Sequence, residues 1–296
     1  MAKEITMTVS KPQDLLPFLL EQFSNKGRNK VKMMLTRGQV MVDGRIITRH
    51  DHKLEPQQTV KVLGTASGMG EVLHGIRILF EDEHLLVIDK PPGLLSIATD
   101  QEHERTAYRI LTNHVRAASK DNRIFIVHRL DRETSGVMMF AKRESVQQAL
   151  QNSWRDSVLN RTYVAVVEGE VAKSEGTIET WLKESGTKTM FVSRPGDGVK
   201  AVTSFKRLET NGTFSLLELH LETGRKNQIR VHMQSIGHPV VGDRRYGSRQ
   251  NPMGRLGLHA RLLTFRHPVT GEILTFETAI PVAFRRLFSQ RNAPKE

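Results

Sequence analysis

The chain has 296 residues, no cysteine, 44 Lys and Arg against 32 Asp and Glu, and a formal net charge of +12. The missing cysteines exclude disulfides, cysteine-ligated zinc and iron–sulfur centres, and a thiolate nucleophile. The positive balance points to an anionic partner, nucleic acid before others, and 38% hydrophobic residues suffice for a sizeable core.

The opening MAKEITMTVSKPQD lacks the apolar stretch of a signal peptide, so the cytoplasm is the expected compartment. Leu15, Leu16, Leu19, Leu20 and Phe23 recur at helical spacing and predict an amphipathic helix over 13–23. Val31, Met34 and Leu35 mark a second, shorter helix stopped by Gly38. Asp43-Gly44 between two short apolar runs predicts a β-hairpin, because both turn positions favour positive φ. Residues 64–71, GTASGMGE, read as a linker. Beyond it, apolar segments at 76–80, 85–88, 125–127, 137–140, 163–167, 214–221, 262–265 and 273–276 predict strands. The best helical patterns there are 105–117 and 145–154. Many short strands with few helices predict an α+β fold on a mostly antiparallel, mixed sheet. No apolar run approaches the ~18 residues of a membrane span, so no membrane partner is expected.

Charge is denser at the front. Through Gly64 there are 11 Lys and Arg against 6 Asp and Glu, a net of +5; the much longer remainder carries +7. From Lys26 to Arg49 seven basic residues (Lys26, Arg28, Lys30, Lys32, Arg37, Arg45 and Arg49) accompany one acid, Asp43. A solvated helix face would also carry a charge run. This one is one-signed and unpaired, and repels itself unless a polyanion neutralises it. Residues 13–63 resemble the small RNA-binding domain named after ribosomal protein S-four, with Leu15 and Leu16 where such domains usually carry a basic and an acidic residue. The resemblance implies a small α/β RNA-binding domain over 1–63, touching RNA through Arg28, Lys30, Lys32 and Arg37.

Several chemistries are absent by motif. There is no GxxxxGK[ST] phosphate loop, no GxGxxG after a strand, no HExxH and no GxSxG, and the 12 histidines lack metal-ligand spacing. Three segments carry concentrated charge instead. EDEHLLVIDKPPGLLS (81–96) ends an apolar run in a rigid Pro-Pro-Gly turn. HRLDRETSG (128–136) packs His128, Arg129, Asp131, Arg132 and Glu133 between two apolar runs, where charges must be paired or functional. An internal ion-pair network would use the same residues. ETGRKNQIRVHMQSIGHPVVGD (222–243) crowds Arg225, Lys226, Arg230 and His232, with Arg230 expected on the face opposite Ile229 and Val231 of a strand or helix start. A basic surface strand is the alternative.

Together these segments resemble the RluA-like family of pseudouridine synthases. The chain carries that family's HRLDxxTSG loop, RTYxAxVEG at 161–169, TGRxxQIRVH and GHPxxGD, in that order. One departure is Lys226-Asn227, where the family usually shows Thr-His. The resemblance implies a catalytic domain over 73–290, joined by the linker 64–72 and followed by a tail, 291–296. It implies Asp131 as the catalytic aspartate, Arg230 as its partner and Tyr163 stacked on the target base. Arg129 would help displace the flipped nucleotide or its neighbours, and Ile229 would help wall the pocket. It further implies isomerisation of uridine to pseudouridine in structured RNA, ribosomal RNA first and tRNA second, by a monomer without cofactor or metal. A non-catalytic RNA-binding or ribosome-assembly factor on the same fold is the competing expectation. Such a protein would keep the basic surface and lose the carboxylate, whereas Asp131, Tyr163 and Arg230 are all present.

Overall fold

The computed structural model describes residues 5–24, 27–36, 39–47, 49–62 and 72–289. Lys26, Arg37, Gly38, the expected linker over 64–71 and the tail 291–296 lie outside the described residues. Contacts divide the chain into two compact units. The first holds 1–130, 136–159 and 262–279, the second 131–135, 160–261 and 280–296.

The first unit begins with β1 (Ile5–Thr8), β2 (Gln13–Asp14), α1 (Leu15–Gln22), α2 (Arg28–Thr36), β3 (Val40–Val42), β4 (Arg45–Ile46), β5 (Lys53–Leu54) and β6 (Thr59–Val62). Helix α1 buries Leu15, Leu16, Phe18 and Leu19, the stripe read from the sequence, and tolerates Pro17 in its first turn. Asp43 and Gly44 both take positive φ, 47° and 77°, and close the β3–β4 hairpin as expected. Strand β6 pairs antiparallel with β1 and β3. Val40 and Val42 face a cluster with Leu15, Leu19, Val31 and Leu35. Met41, one residue out of phase, faces a second cluster with Leu85, Val87 and Met139. The basic run is not wholly unpaired: Arg49 binds Asp51 side-on, Nε to Oδ1 at 3.0 Å and Nη2 to Oδ2 at 2.9 Å.

The same unit continues through β7 (Val72–Leu73), β8 (Ile76–Glu81), β9 (Leu85–Lys90), α3 (Ala107–Ala118), β10 (Phe125–Ile126), β11 (Ser135–Ala141, from Gly136 onward), α4 (Glu144–Asn152) and α5 (Trp154–Ser157). Strands β8, β9 and β11 pair antiparallel, with Ile88 opposite both Ile78 and Met138. Residues of β11 are buried on both faces, which is why that strand reads as one apolar run. Helix α3 starts where the Thr106 hydroxyl accepts the Arg109 amide at 3.1 Å. At the end of β9 the fully buried Lys90 ammonium donates to the carbonyls of Pro91 and Leu94 at 2.9 and 2.8 Å, and so holds the Pro-Pro-Gly turn.

The second unit contains β12 (Val158–Glu168, from Asn160 onward), β13 (Glu175–Glu184), β14 (Met190–Ser193), β15 (Val199–Thr210), β16 (Phe214–Leu221) and α6 (Gln228–Ser235). The antiparallel order is β12-β16-β15-β13-β14. Ala165, Val167, Leu217 and Leu219 face α6, against Ile229 and Met233. The alternate residues Val164, Val166 and Leu216 pack on Phe284 and Phe288. After β17 (Leu258–Arg266) and β18 (Ile273–Glu277), helix α7 (Val282–Arg286) carries Phe284. In the first unit β18 pairs antiparallel with β17 and parallel with β4, Arg45 opposite Thr275.

The pairings described are antiparallel except that of β4 with β18, the α+β architecture expected from the sequence. Strands β13 and β15 were not expected. In β13 the buried Ile178 and Leu182 stand among exposed Glu175, Thr177, Glu179 and Lys183, and Glu179 meets Lys200 across the sheet at 2.7 Å. One face in water leaves no apolar run to detect. Among the described residues no helix is long and apolar enough to cross a membrane.

Candidate active site

Asp131 opens the short loop 131–135 of the second unit. The Thr134 amide donates to the Asp131 carbonyl at 3.1 Å and closes a turn. At the far end, Ser135 Oγ lies 2.7 Å from His259 Nδ1 and accepts from Arg255 Nη2 at 2.7 Å. Arg255 in turn stacks over the Phe284 ring, 5.2 Å from its centroid. The loop is tied down while the Asp131 side chain keeps 37% exposure.

The rest of the HRLDRETSG segment divides by role. His128 Nε2 accepts the Met139 amide at 3.1 Å and its ring meets Trp154, so it braces the first unit. Ser96, from the Pro-Pro-Gly segment, donates to the Leu130 carbonyl at 2.7 Å and accepts the Leu130 amide at 3.2 Å. Arg129, Arg132 and Glu133 are exposed.

Arg230 sits on α6, a helix whose start is fixed by buried polar contacts. Asn227 caps it in the left-handed region, φ 53°, a conformation asparagine tolerates. Gln228 is buried with both ends of its amide satisfied. Its Oε1 accepts from Thr223 Oγ1 and the Arg225 amide at 2.7 and 2.9 Å. Its Nε2 donates to the Val202 carbonyl and Thr203 Oγ1, both at 2.9 Å. Ile229 and Val231 are buried on either side of Arg230 at a helix start, one of the two forms the sequence allowed.

The Arg230 guanidinium donates in three directions. Nη1 reaches Asp131 Oδ2 at 3.0 Å and Asn227 Oδ1 at 3.0 Å. Nε and Nη2 grip Asp243, at 2.6 Å to Oδ2 and 2.9 Å to Oδ1. Its Cζ lies 4.8 Å from the Tyr246 ring centroid. Burial works against the cation, but the hydrogen bonds and charge of Asp243, and the charge of Asp131, outweigh it and raise the pKa further above its usual value.

Asp243 is only 2% exposed and is delivered by the GHPVVGD segment. Gly242 just before it has φ 81°, and a Cβ there would stand 2.5 Å from the Arg255 carbonyl oxygen, so a side chain at 242 would displace the loop. Tyr246 Oη accepts from Asn227 Nδ2 at 2.9 Å and from the Met190 amide at 3.2 Å.

Tyr163, on β12 opposite Leu219, packs in the same cluster as Ile229. Burial pushes its phenol up; the Arg161 cation opposes this and the Asp131 charge adds to it. His232 is sealed between Thr203 Oγ1 on Nδ1 and Thr180 Oγ1 on Nε2, each at 2.9 Å, and burial lowers it to about 4. It is a neutral strut.

Of the expected site residues, Asp131 and Arg230 meet directly, and Tyr163 and Ile229 share one cluster. Arg28 and Lys32 are exposed on α2, which also carries Lys30. Sequence reasoning missed Asp243, Tyr246 and Gln228. Asp243 ends the GHPxxGD motif, and nothing in the sequence names its partner. Its signal was an acid following a glycine within one stretch of Arg230.

Residues 84–235 match the family model described as RNA pseudouridylate synthase. The chain belongs to that family. This RNA pseudouridine synthase is 34% identical over 290 residues to the RNA pseudouridine synthase YlyB of Bacillus subtilis, covering 94% of this chain and 95% of that one. It is 32% identical over 298 residues to the ribosomal large subunit pseudouridine synthase D of Vibrio cholerae, covering 94% and 92%. Among solved structures it resembles human RNA pseudouridylate synthase domain containing 4, at 26% identity and TM-score 0.60, covering 74% of this chain and 94% of that one. Asp131, Tyr163 and Arg230 of the synthase lie inside the matched residues; Asp243 and Tyr246 lie beyond them.

Proposed function

We propose that this enzyme converts particular uridines of structured RNA, ribosomal RNA in the first place, to pseudouridine, with Asp131 as the catalytic carboxylate acting on a flipped-out base. The observation that carries the reading is the 3.0 Å hydrogen bond from Arg230 to Asp131, a carboxylate that stays partly exposed while its neighbour Asp243 is sealed. A substrate can reach Asp131 and not Asp243.

The reaction is balanced within the nucleotide. The N1–C1′ bond breaks, the uracil turns, a C5–C1′ bond forms, C5 loses a proton and N1 gains one. Such a step needs an ionised carboxylate beside the sugar or ring and a pocket that retains the detached base. An aspartate is ionised near neutral pH. It either attacks carbon or stabilises charge as the 2′ proton leaves. Tyr163 would stack on the base, worth about 1–3 kcal/mol, and burial keeps its phenol protonated. Ile229 walls the same cluster. Arg129, exposed two residues before Asp131, would help displace the flipped nucleotide or its neighbours. Flipping costs a few kcal/mol, least in loops and single strands.

Residues 1–63 would act as an RNA-binding domain, joined through 64–72 to a catalytic domain over 73–290. Support comes from a buried cluster drawn wholly from Val9 to Val62 and from Arg28, Lys30 and Lys32 on α2. Ribosomal RNA is favoured by the Vibrio cholerae relative, whose name refers to the large ribosomal subunit. A cytoplasmic monomer fits that role. Pseudouridine mapping in RNA from cells with and without the gene tests the assignment. Loss at defined large-subunit uridines is the expected result. Loss confined to tRNA would move the substrate, and an unchanged map would contradict the proposal.

A further inference from the structure

We propose that Asp243 is a positioning residue for the reaction: by gripping Nε and Nη2 of Arg230 in a buried pair, it aims Nη1 at Asp131. The inference rests on Asp131 carrying the chemistry. A guanidinium is planar and rigid, so fixing one edge fixes the third nitrogen. Asp243 holds that edge with two hydrogen bonds. The Tyr246 ring lies against the plane. Asn227 Oδ1 takes one Nη1 hydrogen, which leaves the other for Asp131 Oδ2.

Charge supports the same division of labour. Two carboxylates face one guanidinium, so the cluster keeps one net negative charge. Asp243 is sealed, and its pairing with Arg230 is the tighter one, by two short contacts against one. The excess charge therefore resides on Asp131, the exposed member, where positive charge developing on the sugar can use it. Arg230 is held without Asp131 having to immobilise it, so Asp131 can engage the substrate while its partner stays in place.

Asp243→Asn keeps the shape and removes the charge and one acceptor. Misplacing a reacting group by about 1 Å can cost a hundredfold, so kcat should fall about 10- to 100-fold, with the KM for RNA within about threefold. Asn227→Gly suits the left-handed backbone at 227, loosens Nη1 from the other side and should lower kcat in the same direction. Ser248→Ala is the control for loop stability. It removes the Gly242 amide and Glu168 hydrogen bonds of the same loop without touching Arg230; its melting temperature should drop while kcat stays within about threefold.

All three variants and Asp131→Asn are assayed as the full chain, well below their melting temperatures. The expected pattern is a kcat loss in Asp243→Asn and Asn227→Gly that Ser248→Ala does not share. Near wild-type kcat in Asp243→Asn beside an inactive Asp131→Asn would overturn the positioning role and leave the Asp131 assignment standing. Parallel loss of kcat and stability across all three would also overturn it, reducing Asp243 to a loop anchor. An active Asp131→Asn would overturn both claims. If Asp243→Asn does not fold, an unchanged kcat in Asn227→Gly overturns the positioning role and a selective kcat loss there supports it.

Discussion

Arg230 and Asp243 meet as fork and carboxylate, Nε 2.6 Å from Oδ2 and Nη2 2.9 Å from Oδ1, inside the fold. The buried carboxylate of this site is therefore Asp243, and removing Arg230 strands it.

Arg230→Ala should destabilise the protein by roughly 3–5 kcal/mol, the usual cost of leaving one member of a buried ion pair uncompensated. Activity should fall with it, because Asp131 loses its partner. Arg230→Lys should recover stability better than activity, since a point charge cannot hold Asp243 by two nitrogens and still reach Asp131. Urea unfolding and turnover on the same preparations check this. An Arg230→Ala protein as stable as wild type would contradict the buried pair.

His232 makes stability depend on pH. Its folded-state value of about 4 lies below the ordinary 6.5, so between those values the unfolded chain binds more protons. Stability therefore rises with pH across that window, is complete above 6.5 and is lost as pH falls toward 4, by no more than about 3 kcal/mol. His232→Gln keeps a donor and an acceptor for Thr180 and Thr203 and should flatten the slope. Unfolding free energies at several pH values from 4.5 to 7 (approximately that window) measure it. An unchanged slope in His232→Gln would assign the dependence to other groups.

The basic front of the chain is best tested by substitution. Deleting it would also strip β4 from beside β18 and remove Met41 from its cluster. Arg28→Gln with Lys32→Gln, both exposed on α2, should weaken RNA binding and lower the log–log salt slope by about 0.7–0.9 per lost phosphate contact. Turnover at saturating RNA should persist. An unaltered slope would make this stretch a solvated helix face.

Much of the fold could be read directly where the chain signals it locally. The α1 stripe of Leu15, Leu16 and Leu19, the Asp43-Gly44 turn and the apolar run of β11 each encode their structure within a few residues. Strands β13 and β15 were hidden because their outer residues, such as Glu179 and Lys200, face water and pair with each other. In the site, Asp131 and Arg230 stood out through their motifs. Asp243 did not, because its pairing with Arg230 is set by how the 237–243 loop folds back on α6, with Gly242 allowing a close approach that no local pattern announces. His232 stood out for its chemistry and proved a neutral strut, because it is buried and its hydrogen-bond partners Thr180 and Thr203 are far away in the chain.

The most direct measurement is tritium release from RNA labelled at C5 of uridine, comparing wild type with Asp131→Asn at equal RNA occupancy. The substitution is nearly isosteric and Asp131 is half-exposed, so fold and RNA affinity should stay close to wild type. Release should drop to background, because the carboxylate that the isomerisation needs is gone. Release near the wild-type rate would contradict the assignment of Asp131 and, with it, the account of this site.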